Sequence, residues 1–163
     1  MSYAVIIARL RVAGIAFRLH DHAPLRTVAE AETALPFPLA QMVKAVAFYV
    51  KDGPWLLVAV RAADRVDYRP LAAALGVKRG ALRQPSAAEV EATLGFEVGG
   101  VPPIPPDSRV QVIFDRQVLD LDTIYCGSGR RDQTLELRVA DLVHLVQPLV
   151  ADVAVGDGEV GGG

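Results

Sequence analysis

Two apolar runs, residues 43–50 (VKAVAFYV) and 55–60 (WLLVAV), are joined by Lys51-Asp52-Gly53-Pro54, and this pair constrains the fold more than any other stretch. β-branched and aromatic residues fill both runs and suit a packed, pleated surface. The link between them is turn chemistry, so the runs are predicted to pair as an antiparallel hairpin. Period-2 alternation sets Lys44, Val46, Phe48 and Val50 on one face of the first strand, and that face is expected to be buried. A lysine therefore heads an apolar strand. Either its stem lies on apolar surface with the head in water, or it is a cation kept at a site for an anionic or carbonyl-bearing ligand. The residues alone leave both readings open.

The chain has 163 residues, 52% hydrophobic and 22% charged, with a mean hydropathy of +0.29. That is material for one packed domain, read as residues 1–155, followed by a glycine-rich, disordered tail over 156–163. No apolar run approaches the roughly 20 residues that span a bilayer, and Arg9 and Arg11 interrupt the N-terminal apolar stretch too early for a signal peptide. A cytoplasmic protein with no membrane partner is expected. Cys126 is the single cysteine, which leaves no internal disulfide and no cysteine metal cluster. Net charge is −2, so no overall field draws nucleic acid; DNA is not expected as a partner, and RNA contact requires a local patch.

Apolar spacing predicts a helix over 3–13 and a short strand over 15–20. His20-Asp21-His22 then brings two histidines together, too few for a metal site with no further Cys or His nearby. Thr27-Val28-Ala29-Glu30 and Ser86-Ala87-Ala88-Glu89 have the form of capping boxes and open helices over 28–35 and 87–94. Residues 38–41 read as one helical turn. Residues 61–67 read as a polar connection, with Pro70 at the first position of a short helix ending at Leu75. Strands are predicted over 110–114, 123–126 and 134–138, a polar connection over 115–122, and a helix over 140–147. Gly95 to Pro106 (GFEVGGVPPIPP) forbids regular structure. Its adjacent glycines and stiff prolines fit either a connecting loop or a preformed pocket for an anion or carbonyl. Lys78, Arg79 and Arg83, with Arg130 and Arg131, are the densest positive charge and are read as the RNA-contacting patch.

In order, "VKAVAFYV", "LAAALGVKRGALR", "GFEVGGVPP", "RVQVIFD", "IYCGSGRR" and "TLELRVADLVHL" resemble the YbaK/ProX family over residues 20–153. These are freestanding relatives of the editing domain inserted in bacterial prolyl-tRNA synthetases. The resemblance implies an α+β fold with a mixed, largely antiparallel sheet flanked by helices. It implies hydrolysis of the ester joining a wrong amino acid to tRNA, often alanine or cysteine on proline tRNA, with prolyl-tRNA synthetase as a further partner and no cofactor or metal. The family's required lysine falls on Lys44. Its glycine–glycine–x–x–proline loop falls on Gly99, Gly100 and Pro103, and its later glycine loop on Gly127 and Gly129. Here Pro103 is followed by Ile104 and Pro105 where the family usually has proline–phenylalanine–glycine or proline–leucine–glycine. Thr134 stands where the cysteine-specific branch tends to carry aspartate, which favours alanine or another small amino acid.

The expected site is thus Lys44 with the backbone N–H groups of Gly99, Gly100 and Val101 as oxyanion donors. Val101, Pro103, His22, Gly127, Gly129 and Thr134 are expected around the substrate. The substrate's free ribose hydroxyl or an ordered water is expected to assist the attack. Two rivals stand beside this reading, a thiol hydrolase using Cys126 as nucleophile and a non-catalytic module binding tRNA or a synthetase.

Overall fold

A computed structural model describes residues 2–25 and 27–156. The predicted hairpin forms β2 (Val43–Val50) and β3 (Trp55–Arg61), in register from Val43 opposite Arg61 to Tyr49 opposite Trp55. Asp52, not Gly53, takes the left-handed turn conformation, with φ 58°; aspartate is one of the few side chains that tolerates it. β5 (Leu82–Arg83) pairs antiparallel with the end of β2, while β6 (Gln111–Asp115) and β9 (Leu149–Ala151) add in parallel beyond β3. The order β5-β2-β3-β6-β9 makes a mixed five-stranded sheet.

Both faces of this sheet are covered. Val43, Ala47, Leu57, Ala59 and Phe114 pack on one side against Ile6 and Leu10 of α1 (Ser2–Val12), Leu94 of α4 (Ala87–Leu94) and Leu142 of α5 (Val139–Val146). Phe48, Val50, Leu56, Val58 and Ile113 pack on the other against Leu71 and Ala72 of α3 (Tyr68–Leu75). The alternation in β2 thus divides two apolar sets rather than core from solvent, which is why the run reads as continuously apolar. β1 (Phe17–Asp21), β8 (Gln133–Arg138) and β7 (Thr123–Gly127) form a separate antiparallel sheet in that order.

Several boundaries differ from the sequence reading. The polar connection over 61–67 contains β4 (Asp64–Val66), which pairs with β10 (Ala154–Gly156). Gly156 therefore belongs to a strand; the remaining predicted tail, 157–163, lies outside the described residues. The connection over 115–122 winds into a 3-10 turn, Arg116–Asp120. Pro70 is the third residue of α3, not the first, because the Asp67 side chain caps the helix through the Arg69 N–H. Proline is tolerated there because N–H groups of the first turn have no intrahelical acceptor. The Ser86–Glu89 capping box forms in both directions, at 3.2 and 3.1 Å. At the sheet's C-terminal end the buried Asp115 carboxylate accepts the N–H groups of Val153 at 2.9 Å, Ala154 at 3.1 Å and Gln117 at 3.1 Å, tying the last strands to β6.

Candidate active site

The site arises where β2 lacks a neighbour. β5 pairs only with Tyr49 and Val50, and at the other end of the strand a single parallel bridge joins Met42 to Tyr125 of β7. Between these closures the edge of β2 stays open and faces a cavity of about 300 Å³. The main chain aims into it. Val50 N–H donates to Pro54 on the β3 side and Lys51 N–H donates to Ala81 on the other, so odd-numbered residues of β2 turn their N–H and C=O away from β3. Ala45 and Ala47 thus present peptide groups to the cavity, and their methyl side chains leave room in front of them. Lys44, half-buried, lies in the same wall. Across the slot stand α2 (Val28–Ala34), through Ala31, and Leu35 just after it, together with Gln84, Pro85, Val98, Gly99, Val101, Tyr125, Gly127 and Thr134.

Two glycine loops build the far wall by packing backbone on backbone. Glu97 N–H donates to Gly129 C=O at 3.0 Å, and Gly129 N–H donates to Gly100 C=O at 2.7 Å. A Cβ on Gly100 would lie 2.2 Å from Arg130 O, and one on Gly127 would lie 2.3 Å from Val101 O and 2.4 Å from Gly100 O. Only glycine fits this approach. Gly100 N–H donates to Glu97 C=O at 3.0 Å, so it is engaged within the loop. Gly99 and Val101 line the cavity, whereas Gly100 and Gly129 bind the two loops to each other and the buried Pro103 does not line the cavity. The glycine motif therefore combines residues that face the cavity with residues that hold the two loops together.

His22 and Thr134, distant in sequence, meet at the cavity. His22 Nδ1 lies 2.8 Å from the Ala23 carbonyl and must donate to it. Nε2, 2.8 Å from Thr134 Oγ1, then accepts the threonine hydrogen in the neutral ring. The Thr134 oxygen is left as an acceptor. Gln133, which sequence reading missed, also lines the cavity, fixed by Tyr3 OH at 2.7 Å and Asp21 at 2.8 Å. Ala45 and Ala47 were likewise passed over, although two alanines inside a strand of bulky residues are the local signal that space is kept there. His20 takes a different course, bonding Glu136 at 2.9 Å and packing edge-on to Phe37, which stacks on Tyr125 at 4.2 Å. Cys126 touches the cavity wall, but burial pushes its thiol up to about 12. At neutral pH it holds its proton and is no nucleophile.

The five predicted RNA-contacting cations separate into two groups. Arg130 makes two hydrogen bonds to Asp132, at 2.9 and 3.0 Å, and Arg131 lies 3.5 Å from Glu97. The Arg130 hydrogen bond holds the Asp132 carboxyl below the usual carboxylate range, and the same bond raises the guanidinium. Lys78, Arg79 and Arg83 sit at the 3-10 turn Arg79–Ala81 and on β5; Arg83 donates to the Gly80 and Leu82 carbonyls. Among the described residues, no group of three or more His, Cys, Asp or Glu is arranged to hold a metal ion, and no helix is long and apolar enough to cross a membrane.

A family model described as the aminoacyl-tRNA editing domain matches residues 22–145. The chain is 26% identical over 133 residues to the proline–tRNA ligase of Lactobacillus helveticus strain DPC 4571; this covers 82% of the chain but only 23% of that ligase. Among solved structures, a hypothetical protein, APE2540, superposes with a TM-score of 0.83 at 28% identity, covering 93% of this chain and 99% of the other. A candidate trans-editing enzyme for prolyl tRNA synthetase superposes with a TM-score of 0.80 at 25% identity, covering 95% and 98%. The family match over most of this chain's length and its superposition on these structures agree: the chain belongs to the aminoacyl-tRNA editing domain family.

Proposed function

We propose that this chain is a deacylase that hydrolyses the ester of a mischarged aminoacyl-tRNA, acting on proline tRNA that carries alanine or cysteine. The observation that carries this reading is the slot itself. A cation, outward-facing strand peptides and the Gly99 and Val101 loop line a volume that suits a small aminoacyl group. The α-ammonium of the substrate is met by the Ala45 and Ala47 carbonyls. The acyl carbonyl is directed at the Gly99 and Val101 N–H groups and the Lys44 ammonium, which stabilise the oxyanion that develops as water adds. Thr134 Oγ1 accepts a hydrogen bond from that water, and His22 Nε2 behind it takes the threonine hydrogen as the water proton is passed on. Collapse of the tetrahedral intermediate forms the free amino acid. It breaks the carbon–oxygen bond to the ribose, whose oxygen takes the proton back. Size alone sets the choice of amino acid, and one added methylene is worth only about 1–3 kcal/mol of discrimination in such a pocket.

The test is deacylation of proline tRNA charged separately with alanine, cysteine and proline. Turnover of a mischarged species with proline left intact supports the reading. Binding without turnover of any species on a wider panel rejects it in favour of a non-catalytic tRNA-binding module.

A further inference from the structure

The register of the central sheet places Arg83, Tyr49 and Trp55 side by side on three adjacent strands and on one face: Tyr49 is opposite Arg83 on one side and opposite Trp55 on the other. The two rings stack at 5.5 Å with 26° between their planes, and both are half-buried. Lys51, whose N–H donates to Ala81 at 2.8 Å, brings the hairpin turn against the segment carrying Lys78 and Arg79. Lys51, Lys78, Arg79 and Arg83 are all exposed, and among the described residues none of them forms an ion pair. Arg61, Arg109, Arg116, Arg130, Arg131 and Arg138, by contrast, each hold a carboxylate. The one acidic side chain in this corner's turn is the exposed Asp52.

Cations without carboxylates stand beside a half-buried pair of stacked rings, Trp55 resting in part on the core, and an unpaired nucleic-acid strand is recognised by this combination of charges for its phosphates and ring surface for its unstacked bases. The row is also continuous with the slot. Arg83 is followed directly by Gln84 and Pro85, which wall the cavity, and Ala47, in the same wall, is two residues before Tyr49 on the strand. At about 3.3 Å per residue, the rings lie within a nucleotide's reach of the slot's mouth.

We propose that the unpaired 3′ end of the substrate RNA crosses the Trp55–Tyr49–Arg83 row, with Lys78, Arg79 and Lys51 at its phosphates, and that Arg130 and Arg131 take no part. This rests on the editing reading above and adds to it the face on which the RNA lies and the two rings that hold it. Trp55 is the chain's only tryptophan, so its fluorescence reports on this surface alone. The probes are an RNA hairpin with an unpaired 3′ end and the same hairpin trimmed blunt.

The tailed hairpin quenches Trp55 and the blunt one does not. Tyr49→Ala weakens the tailed hairpin by about 10-fold, on the scale of one lost base stack. Replacing Lys78, Arg79 and Arg83 together by glutamine lowers the slope of log affinity against log salt by about 2, at roughly 0.7 for each single-strand phosphate contact. Replacing Arg130 and Arg131 by glutamine leaves that slope in place. Affinity lost through Arg130 and Arg131 instead, or tailed RNA bound without quenching, overturns this surface while deacylation by the wild type keeps the editing reading intact. A tailed hairpin that does not bind overturns this surface, and the absence of deacylation of any charged tRNA removes the editing reading with it.

Discussion

Substituting Gly127 by alanine tests whether the far wall of the slot depends on backbone contact between the two glycine loops. Gly127 adopts no positive φ, so the new methyl group adds no conformational strain and acts by volume alone. It would stand 2.3 Å from Val101 O, 2.4 Å from Gly100 O and 2.6 Å from Gly100 C. Ordinary van der Waals contact begins near 3.4 Å, so the 99–101 segment must retreat by about 1 Å. None of the obstructing atoms is a flexible side chain. The retreat overpacks a buried seam, at about 1–3 kcal/mol. It also strains the hydrogen bond from Gly129 N–H to Gly100 C=O, which contributes about 1 kcal/mol. A loss of about 2–4 kcal/mol of folding stability is expected in urea titration. Deacylation falls further, by about 10²-fold, since a 1 Å misplacement of positioned groups costs that much. Gly80→Ala is the control, because a Cβ there meets nothing within 4 Å and is expected to be neutral or slightly stabilising. A Gly127→Ala protein within about 0.5 kcal/mol of wild type, the scatter of ordinary surface substitutions, would refute the argument that glycine is required for the approach of the loops.

Two further predictions concern buried groups. Burial raises the Cys126 thiol from 9.0 to about 12. Above pH 9 the unfolded chain therefore gives up a proton that the folded chain keeps, so stability is fully present below pH 9 and falls by about 1.4 kcal/mol per pH unit above it. Cys126→Ala removes that component of the slope, and iodoacetamide at pH 8 leaves the native thiol unmodified with deacylation intact; rapid alkylation that stops turnover would restore the thiol mechanism. Asp115→Ala strips three backbone N–H groups of their acceptor and is expected to cost about 3 kcal/mol, read by urea titration. An unchanged midpoint would mean that the C-terminal strands are held by other contacts.

The hairpin and the Ser86–Glu89 capping box were legible because each is written in consecutive residues, alternation and a turn in one case and Ser-x-x-Glu in the other; at Thr27 the side chain accepts the Glu30 N–H at 3.1 Å. The three-residue strands Leu149–Ala151 and Ala154–Gly156 were not. Their pairing is fixed by β4, β6 and the Asp115 carboxylate, all far away in the chain. The slot is likewise a matter of where β5 stops pairing with β2, which no residue in β2 announces. Lys44 was visible as a cation in an apolar strand, whereas the His22–Thr134 hydrogen bond joins residues 112 positions apart. Counting cations grouped Arg130 and Arg131 with Lys78, Arg79 and Arg83, and tertiary structure divided them by setting Glu97 beside Arg131. The Asp132 partner of Arg130 was readable two residues downstream.

An ester-hydrolysing site built from Lys44 and the open edge of β2 depends on the Lys44 ammonium. Its most direct test is the deacylation rate of alanyl and cysteinyl proline tRNA by the wild type and Lys44→Ala side by side, with folding of both checked by urea titration. Turnover of one mischarged species by the wild type is expected, with a loss of about 10²-fold or more in the folded variant, the scale of one transition-state donor. Turnover by folded Lys44→Ala at a near-normal rate would contradict it.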